Sequence, residues 1–192
     1  MRPVLTGILL LALFAADFWL LFTRDGQAYD QLGYNAIHNT YRAPWLDRTM
    51  RFASKLGEPK SAAFGVIAFG FFGTPAAQLT AKLASIVLVS SSAMVFGIKW
   101  LVNRERPDYT TERNNSSLPS GHAAGSAAVA VLVTRRHGRI GILAWAIAIW
   151  ISLSRVYLGR HFPTDVLSGI LLGTIAAWLV LRGERWFAKL HF

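Results

Sequence analysis

The sequence predicts an all-α protein: a bundle of six membrane-spanning helices with a polar, partly amphipathic-helical segment between the first and second spans. Hydrophobic residues make up 53% of the 192 positions and charged residues only 16%. The mean hydropathy is +0.37, which is typical of a membrane protein. Apolar stretches of about 20 residues, the length that crosses a bilayer, recur along the chain. Basic residues stand at the ends of these stretches, as in other membrane proteins.

Composition also restricts the function. The length suits one integral-membrane domain over residues 1–192, with the reactive side chains between residues 99 and 165. The formal net charge of +10 does not indicate nucleic acid, because the basic residues flank apolar stretches instead of sharing one soluble face. The chain has no cysteine, which excludes disulfides, iron–sulfur clusters and thiolate zinc sites. Nothing in the sequence indicates an obligate protein partner.

The first predicted span covers residues 4–22. Its apolar run is longer than the core of a cleavable signal, about 7–15 residues, and no small-residue cleavage site follows, so we interpret it as a retained span. Residues 24–60 form a polar connection in which Trp45, Met50 and Phe52 lie among basic residues. This pattern indicates either a helix at the membrane surface or a loop that covers the bundle.

The remaining five spans follow from apolar runs and their breaks. Residues 61–102 are too long for one span and predict a hairpin of two, broken near residues 73–75, where Thr74 can cap one helix and Pro75 can begin it. A polar loop over residues 103–118 follows. The fourth span begins near Pro119 and ends at the basic residues 135–139, the fifth covers residues 140–157, and the sixth covers residues 164–181.

Six spans place both termini on one side of the membrane, and they bring every candidate reactive residue to the other. The compact basic loop over residues 135–139 favours cytoplasmic termini, with the reactive face outside. A raw count of basic residues opposes this orientation. Several basic residues on the reactive face, however, are candidate ligands and do not report insertion bias.

Three cations are candidates for binding a phosphate group: Lys99, Arg106 and Arg155. Arginine donates two parallel hydrogen bonds to phosphate and does not deprotonate in proteins. Any one of these residues alone would fit a basic side chain reaching the membrane surface from a helix end. All three beside histidines predict a phosphate site.

The residues that begin the fourth span predict an anion site with a proton donor. Pro119 suits a first helical turn, and the backbone N–H groups of Ser120 and Gly121 are expected to be free and to point outward at the positive end of the helix dipole. His122 would then lie beside the bound phosphate, where it can protonate a leaving oxygen.

His161 and Asp165 are four residues apart around Pro163, which is expected to begin the sixth helix. A carboxylate at this spacing can accept the imidazole N–H and leave the other nitrogen free to attack phosphorus. A metal-binding histidine could be held in the same way, but the other ligands are missing, so we predict no metal.

Small residues explain how these clusters could meet. Gly121 and Gly125, and likewise Gly169 and Gly173, are four residues apart and allow close approach of a neighbouring helix. If the fourth and sixth spans pack together, both histidines face one phosphate-sized gap. Asp17, inside the first span, either lies near the membrane surface or turns into the bundle.

The joint pattern resembles a known family signature. Lys99-x6-Arg106-Pro107, Pro119-Ser120-Gly121-His122 and Ser154-Arg155-x5-His161-x3-Asp165 are similar to the three-part signature of the type-2 phosphatidic acid phosphatase superfamily. Every signature position is matched.

This resemblance implies a bacterial inner-membrane enzyme, active on the periplasmic face, that hydrolyses a lipid phosphomonoester or diphosphate without metal or cofactor. It implies that His161 is the nucleophile and forms a phosphohistidine, that His122 is the general acid, and that Asp165 orients His161. The positions that would hold phosphate are Lys99, Arg106, Ser120, Gly121 and Arg155.

The lipid itself stays open at this stage. Undecaprenyl diphosphate, phosphatidylglycerophosphate and phosphatidate are candidates, and a lipid A 1-phosphatase of the same superfamily is the alternative. Soluble vanadium haloperoxidases share the signature, but six apolar spans in a short chain argue against that class. A non-enzymatic membrane scaffold would not need two histidines and three cations on one face.

Overall fold

The computed structural model describes residues 2–40, 42–108 and 116–183, and within these ranges the chain is helical, without strands. The α-helices are α1 (Arg2–Leu20), α2 (Arg24–Asn35), α3 (Pro44–Leu56), α4 (Pro59–Phe72), α5 (Pro75–Val102), α6 (Gly121–His137), α7 (Ile140–Tyr157) and α8 (Pro163–Arg182), with a π-helical turn at Ala36–Thr40. The prediction of an all-α membrane protein is therefore confirmed. Part of the predicted polar loop, residues 109–115, lies outside the described residues.

Helix boundaries follow the predicted breaks. Between α4 and α5, Thr74 is the N-cap and its Oγ1 accepts a hydrogen bond from the backbone N of Ala77 (3.4 Å), while Pro75 begins α5. Proline also begins α3, α4 and α8, because its fixed φ fits the first turn and its missing N–H has no helical partner there.

The segment between α1 and α4 is more ordered than the sequence predicts. It contains two helices, of which only α3 matches the predicted amphipathic helix. The other, α2, turns by 90° from α1 and begins at Thr23, whose Oγ1 accepts from the backbone N of Gly26 (3.0 Å). The α3 segment is a helix and not a loop; it packs on α7 and leaves Trp45 and Phe52 exposed. Its place at the membrane surface stays a prediction.

Among the described helices, α5, α7 and α8 are long and apolar enough to cross a bilayer, and α1 with the bent helix after it makes a fourth. The apolar helix α4 has 14 residues, and α6 has 17 and ends in Arg135 and Arg136. At about 1.5 Å per residue these two are shorter than a hydrocarbon core of about 30 Å.

Helix α6 lies at the centre of the bundle, against α5, α7 and α8. Its buried residues are five alanines and Leu132, and the small alanines let the neighbouring backbones approach closely. On α8, a Cβ built at Gly169 would lie 2.5 Å from the carbonyl oxygen of Ser120, and one at Gly173 would lie 2.0 Å from that of Ala124. The predicted close approach at Gly169 and Gly173 is confirmed.

The other glycine pair has a different environment. A Cβ at Gly121 would lie 3.7 Å from Val95 and one at Gly125 would lie 3.6 Å from Leu88, both ordinary van der Waals contacts with α5. The prediction that these two glycines permit close helix approach is therefore wrong, because they face side-chain ends and not a backbone. Asp17 turns into the bundle and accepts a hydrogen bond from Ser168 Oγ.

Candidate active site

The structure brings the predicted site residues to one end of the bundle. They occupy the ends of four helices and two connections: Lys99 in the last turn of α5, Arg106 in the following loop, Ser120, Gly121 and His122 at the start of α6, Arg155 in the last turn of α7, His161 before α8, and Asp165 in its first turn. Helix packing, and not sequence proximity, therefore assembles the site.

Three basic side chains share this region. Lys99 Nζ donates to the carbonyl of Ser116, and Arg155 Nη1 donates to Ser54 Oγ (2.5 Å). Arg106 Nη1 donates to the carbonyl of Arg160 (2.8 Å) and lies 3.5 Å from His161 Nε2. These cations are close enough to repel one another electrostatically. Burial and, to a smaller extent, repulsion from Arg160 lower the pKa of Arg106, while the carboxylates of Asp108 and Asp165 oppose this change.

Three polar atoms of the described site residues are buried without a hydrogen-bond partner: Ser120 Oγ, Arg155 Nε and His161 Nδ1. Buried polar groups are normally hydrogen-bonded, so donors left unpaired together indicate a place for an acceptor-rich ligand.

The start of α6 differs from the prediction in two respects. Pro119 is not in the first helical turn, because Ser120 is the N-cap and the helix begins at Gly121. The backbone N–H of Ser120 is not free, because it donates to the carbonyl oxygen of Asp165 (2.8 Å). This bond ties the first turn of α8 to the N-cap of α6. It links Ser120 and His122 to the segment that carries His161.

His122 lies against the end of α3. A Cβ built at Gly57 would be 2.9 Å from His122 Cδ2 and 2.6 Å from Ile151 Cγ2. Only a residue without a side chain fits between these groups. The segment before α4 thus limits the position of the His122 ring.

His161 is buried, with its two nitrogens facing different partners. Nε2 faces Arg106, while Nδ1 lies 3.7 Å from Asp165 Oδ2, longer than a hydrogen bond. Burial lowers the pKa of His161 to about 4, and the opposing effect of Asp165 only partly compensates. The imidazole is therefore neutral at pH 7, the state required of a nucleophile.

Sequence reasoning missed the residues behind Asp165. The Asp165 carboxylate accepts from Arg104 Nη1 (2.6 Å), from Ser117 Oγ and from the backbone N of Phe162 (2.8 Å). Arg104 Nη2 also contacts Asp30 Oδ2 (2.5 Å). Burial alone would lower the pKa of Arg104, but Asp165 and Asp30 raise it.

One sequence signal could have singled out Arg104, since it lies only two residues before Arg106 at the same junction of apolar and polar sequence. Asp30 has no such signal, because it belongs to a polar helix far from the other clusters.

The described residues include no group of three or more His, Asp or Glu side chains close enough to hold a metal ion. His38 lies in another segment, and its Nδ1 is 2.8 Å from the carbonyl oxygen of Tyr157.

Comparison with known proteins finds similar phosphatases. The sequence model of the PAP2 superfamily matches residues 78–189. The chain is 29% identical over 157 residues to phosphatidylglycerophosphatase B of Bacillus subtilis, covering 72% of this chain and 75% of that protein. It is 30% identical over 143 residues to decaprenylphosphoryl-5-phosphoribose phosphatase of Mycobacterium tuberculosis, covering 71% of this chain and 80% of the relative.

A solved structure is similar over nearly the whole chain. It is the crystal structure of a transmembrane PAP2-type phosphatidylglycerolphosphate phosphatase from Bacillus subtilis, with a TM-score of 0.75 and 26% identity. The match covers 98% of each chain.

Proposed function

The chain belongs to the PAP2 superfamily and is a membrane lipid phosphatase, and we propose that it works through a phosphohistidine formed on His161. In this proposal His122 is the general acid and Asp165 orients the nucleophile. Lys99, Arg106, Ser120, Gly121 and Arg155 hold the phosphate.

The observation that carries the proposal is the convergence of three mutually repelling cations on a buried, neutral histidine. Such an arrangement is unfavourable unless an anion completes it, and a phosphate group supplies both the negative charge and several acceptor oxygens. Arg106 links the two parts, because it lies beside the nitrogen that would attack phosphorus. The unpaired Ser120 Oγ and Arg155 Nε are further donors for the same oxygens.

The reaction then proceeds in two balanced steps. His161 Nε2 forms a bond to phosphorus as the bond to the leaving oxygen breaks, and His122 gives that oxygen a proton. Water then attacks the phosphohistidine, its proton passes to His122, and inorganic phosphate leaves with His161 restored. The cations neutralise charge that spreads over the transferring oxygens.

The substrate in this proposal is a lipid carrying a phosphomonoester or diphosphate of the undecaprenyl diphosphate, phosphatidylglycerophosphate or phosphatidate type. A cavity of about 450 Å³ lies between α4, α5 and α6, and apolar side chains form most of its wall. None of the proposed site residues lines this cavity, which reaches Thr80 and His137 at the opposite ends of α5 and α6, so the lipid part of the proposed substrate rests on the family and not on this cavity. A lipid A 1-phosphate group is the second candidate. Phosphate release by purified protein, compared across these four lipids, decides between them.

The test of the mechanism is direct. We expect His161→Ala to abolish turnover, and His122→Ala to accumulate a phosphohistidine when the substrate has a good leaving group. Activity should survive excess EDTA, because charge neutralisation comes from side chains, and vanadate should inhibit by occupying the same site. Wild-type activity in His161→Ala, or loss on chelation that zinc or magnesium restores, would contradict the proposal.

We also propose six membrane crossings, by α1, α4, α5, α6, α7 and α8, with cytoplasmic termini and the active site on the periplasmic face of a bacterial inner membrane. The short connections α4–α5 and α6–α7 support alternating directions for these helices.

Single cysteines in this cysteine-free chain test the topology. Glu105→Cys, on the active-site loop, should react with a membrane-impermeant thiol reagent in intact cells. Arg139→Cys should react only after the membrane is opened. Equal labelling of the two contradicts the proposed crossings, and the reversed pattern contradicts the orientation.

A further inference from the structure

We propose that Arg104 and Asp30 are positioning residues that hold the Asp165 carboxylate in place for His161. The inference rests on the proposed role of His161 as nucleophile. Neither residue belongs to the matched signature, and they reach the site from the loop after α5 and from α2.

The two arms of the Arg104 guanidinium bind different carboxylates. Nη1 donates to Asp165 Oδ1 (2.6 Å) and to Thr164 Oγ1 (3.0 Å), while Nη2 donates to Asp30 Oδ2 (2.5 Å). The planar fork thus joins two acids that would otherwise repel one another. Its side chain is 19% exposed, and those of Asp30 and Asp165 are 1% and 0% exposed.

The two oxygens of the Asp165 carboxylate have different partners. Arg104 binds Oδ1, while Oδ2 accepts from Ser117 and Phe162 and faces His161 Nδ1. Donors on both oxygens stop the carboxylate from rotating. The oxygen nearest His161 is thereby kept available when the imidazole gains positive charge on bonding to phosphorus.

Asp30 completes the arrangement from the opposite side. Its Oδ1 accepts from the backbone N of Thr164 (2.9 Å) and its Oδ2 accepts from Thr164 Oγ1 (2.5 Å). Asp30 therefore holds both Arg104 and the residue before Asp165. A buried carboxylate without its cation takes up a proton or changes partners, so loss of Arg104 would disturb Asp165 as well.

These contacts separate Arg104 from the cations proposed to bind phosphate. The polar contacts described for its side chain are with Asp30, Thr164 and Asp165, all behind the histidine. Substitution should therefore impair the attack by His161 and leave phosphate binding intact.

The experiment compares Arg104→Gln and Asp30→Asn with two exposed residues of α2 as matched controls, Arg24→Gln and Asp25→Asn. We expect kcat to fall about 100-fold in Arg104→Gln and at least about 10-fold in Asp30→Asn, as for misplaced catalytic groups. KM and the inhibition constant of vanadate should stay within about threefold of wild type. The controls should keep the wild-type kcat.

Two further measurements distinguish positioning from folding. Rates are expressed per vanadate-binding site, so that unfolded protein does not count. The double variant should lose less than the product of the two single losses, because Asp30 is inferred to act partly through Arg104 and partly through Thr164. Arg104→Lys, which keeps the charge but not the fork, should recover only part of kcat.

Retention of kcat per vanadate-binding site in Arg104→Gln or Asp30→Asn would overturn the inference, and so would a loss of activity that follows the loss of vanadate-binding sites. Either outcome leaves the proposed function standing if wild type is active and His161→Ala is inert in the same assay. An active His161→Ala would instead refute the proposed function.

Discussion

Replacement of Gly173 by alanine should separate α6, which carries His122, from α8, which follows His161. The added Cβ would lie 2.0 Å from the carbonyl oxygen of Ala124, while ordinary contact begins at 3.4 Å. The nearest atoms are all backbone, so no side chain can rotate away, and α8 must move from α6 by roughly 1.4 Å.

The size of the effect follows from this displacement. Forcing an extra methyl group into a packed interface costs about 1–3 kcal/mol, which corresponds to a Tm decrease of about 2–4 °C per kcal/mol for a chain of this size. A misplacement of about 1 Å between catalytic groups costs on the order of 100-fold in rate. We therefore expect Gly173→Ala to lose both stability and most of kcat.

The matched control is Gly125→Ala, on α6 itself. A Cβ there meets only Leu88 Cδ2, at 3.6 Å, and alanine is favoured over glycine inside a helix by about 0.5–1 kcal/mol. This variant should be as active as wild type and at least as stable. Thermal unfolding in detergent and lipid phosphate release would measure both quantities. A Gly173→Ala enzyme with wild-type Tm and kcat would refute the packing argument.

Two other predictions concern the histidines. Because burial lowers the pKa of His161 to about 4, this proposed nucleophile should stay neutral at pH values where an ordinary histidine of pKa about 6.5 is protonated. Repulsion from Arg106 contributes to the lowered pKa, so Arg106→Gln should move the acid limb of the kcat/KM profile to higher pH. Ionisation of the substrate affects wild type and Arg106→Gln equally, so it cannot cause a difference between their profiles. Acid limbs at the same pH in the two enzymes would contradict this reasoning. Gly57→Ala should displace His122, because its Cβ would lie 2.9 Å from the ring and 2.6 Å from Ile151. Its kcat/KM should fall about 10- to 100-fold on an alkyl phosphate but less on p-nitrophenyl phosphate, where protonation of the leaving group matters least; an equal loss on both substrates would show that His122 is not the group affected.

Local sequence was sufficient for the helix ends and for the signature residues. Prolines and Thr74 mark where helices begin, and Lys99, His122 and Asp165 stand at junctions of apolar and polar sequence that become helix ends. Such signals act within a few residues, which is why they can be recognised without the fold.

The partners of the signature side chains could not be predicted from local sequence. Asp30 and Arg104 are 74 residues apart, and Ser54 and Arg155 are 101 apart, so their pairing depends on tertiary packing. Helix α2 was missed because its composition is polar. The involvement of Ser120 N with Asp165 likewise follows from the close contact of α6 with α8.

The bridge from Asp30 through Arg104 to Asp165 also sets the order in which the active site can assemble. During synthesis Asp30 emerges first, Arg104 follows 74 residues later, and Asp165 comes 61 residues after that. The final position of Asp165 depends on α8, the last of the described helices along the chain. A ribosome-bound chain that stops before α8 contains Lys99, Arg106, His122 and His161 but lacks Asp165. The proposed nucleophile is therefore without its positioning carboxylate until insertion of the bundle is nearly finished.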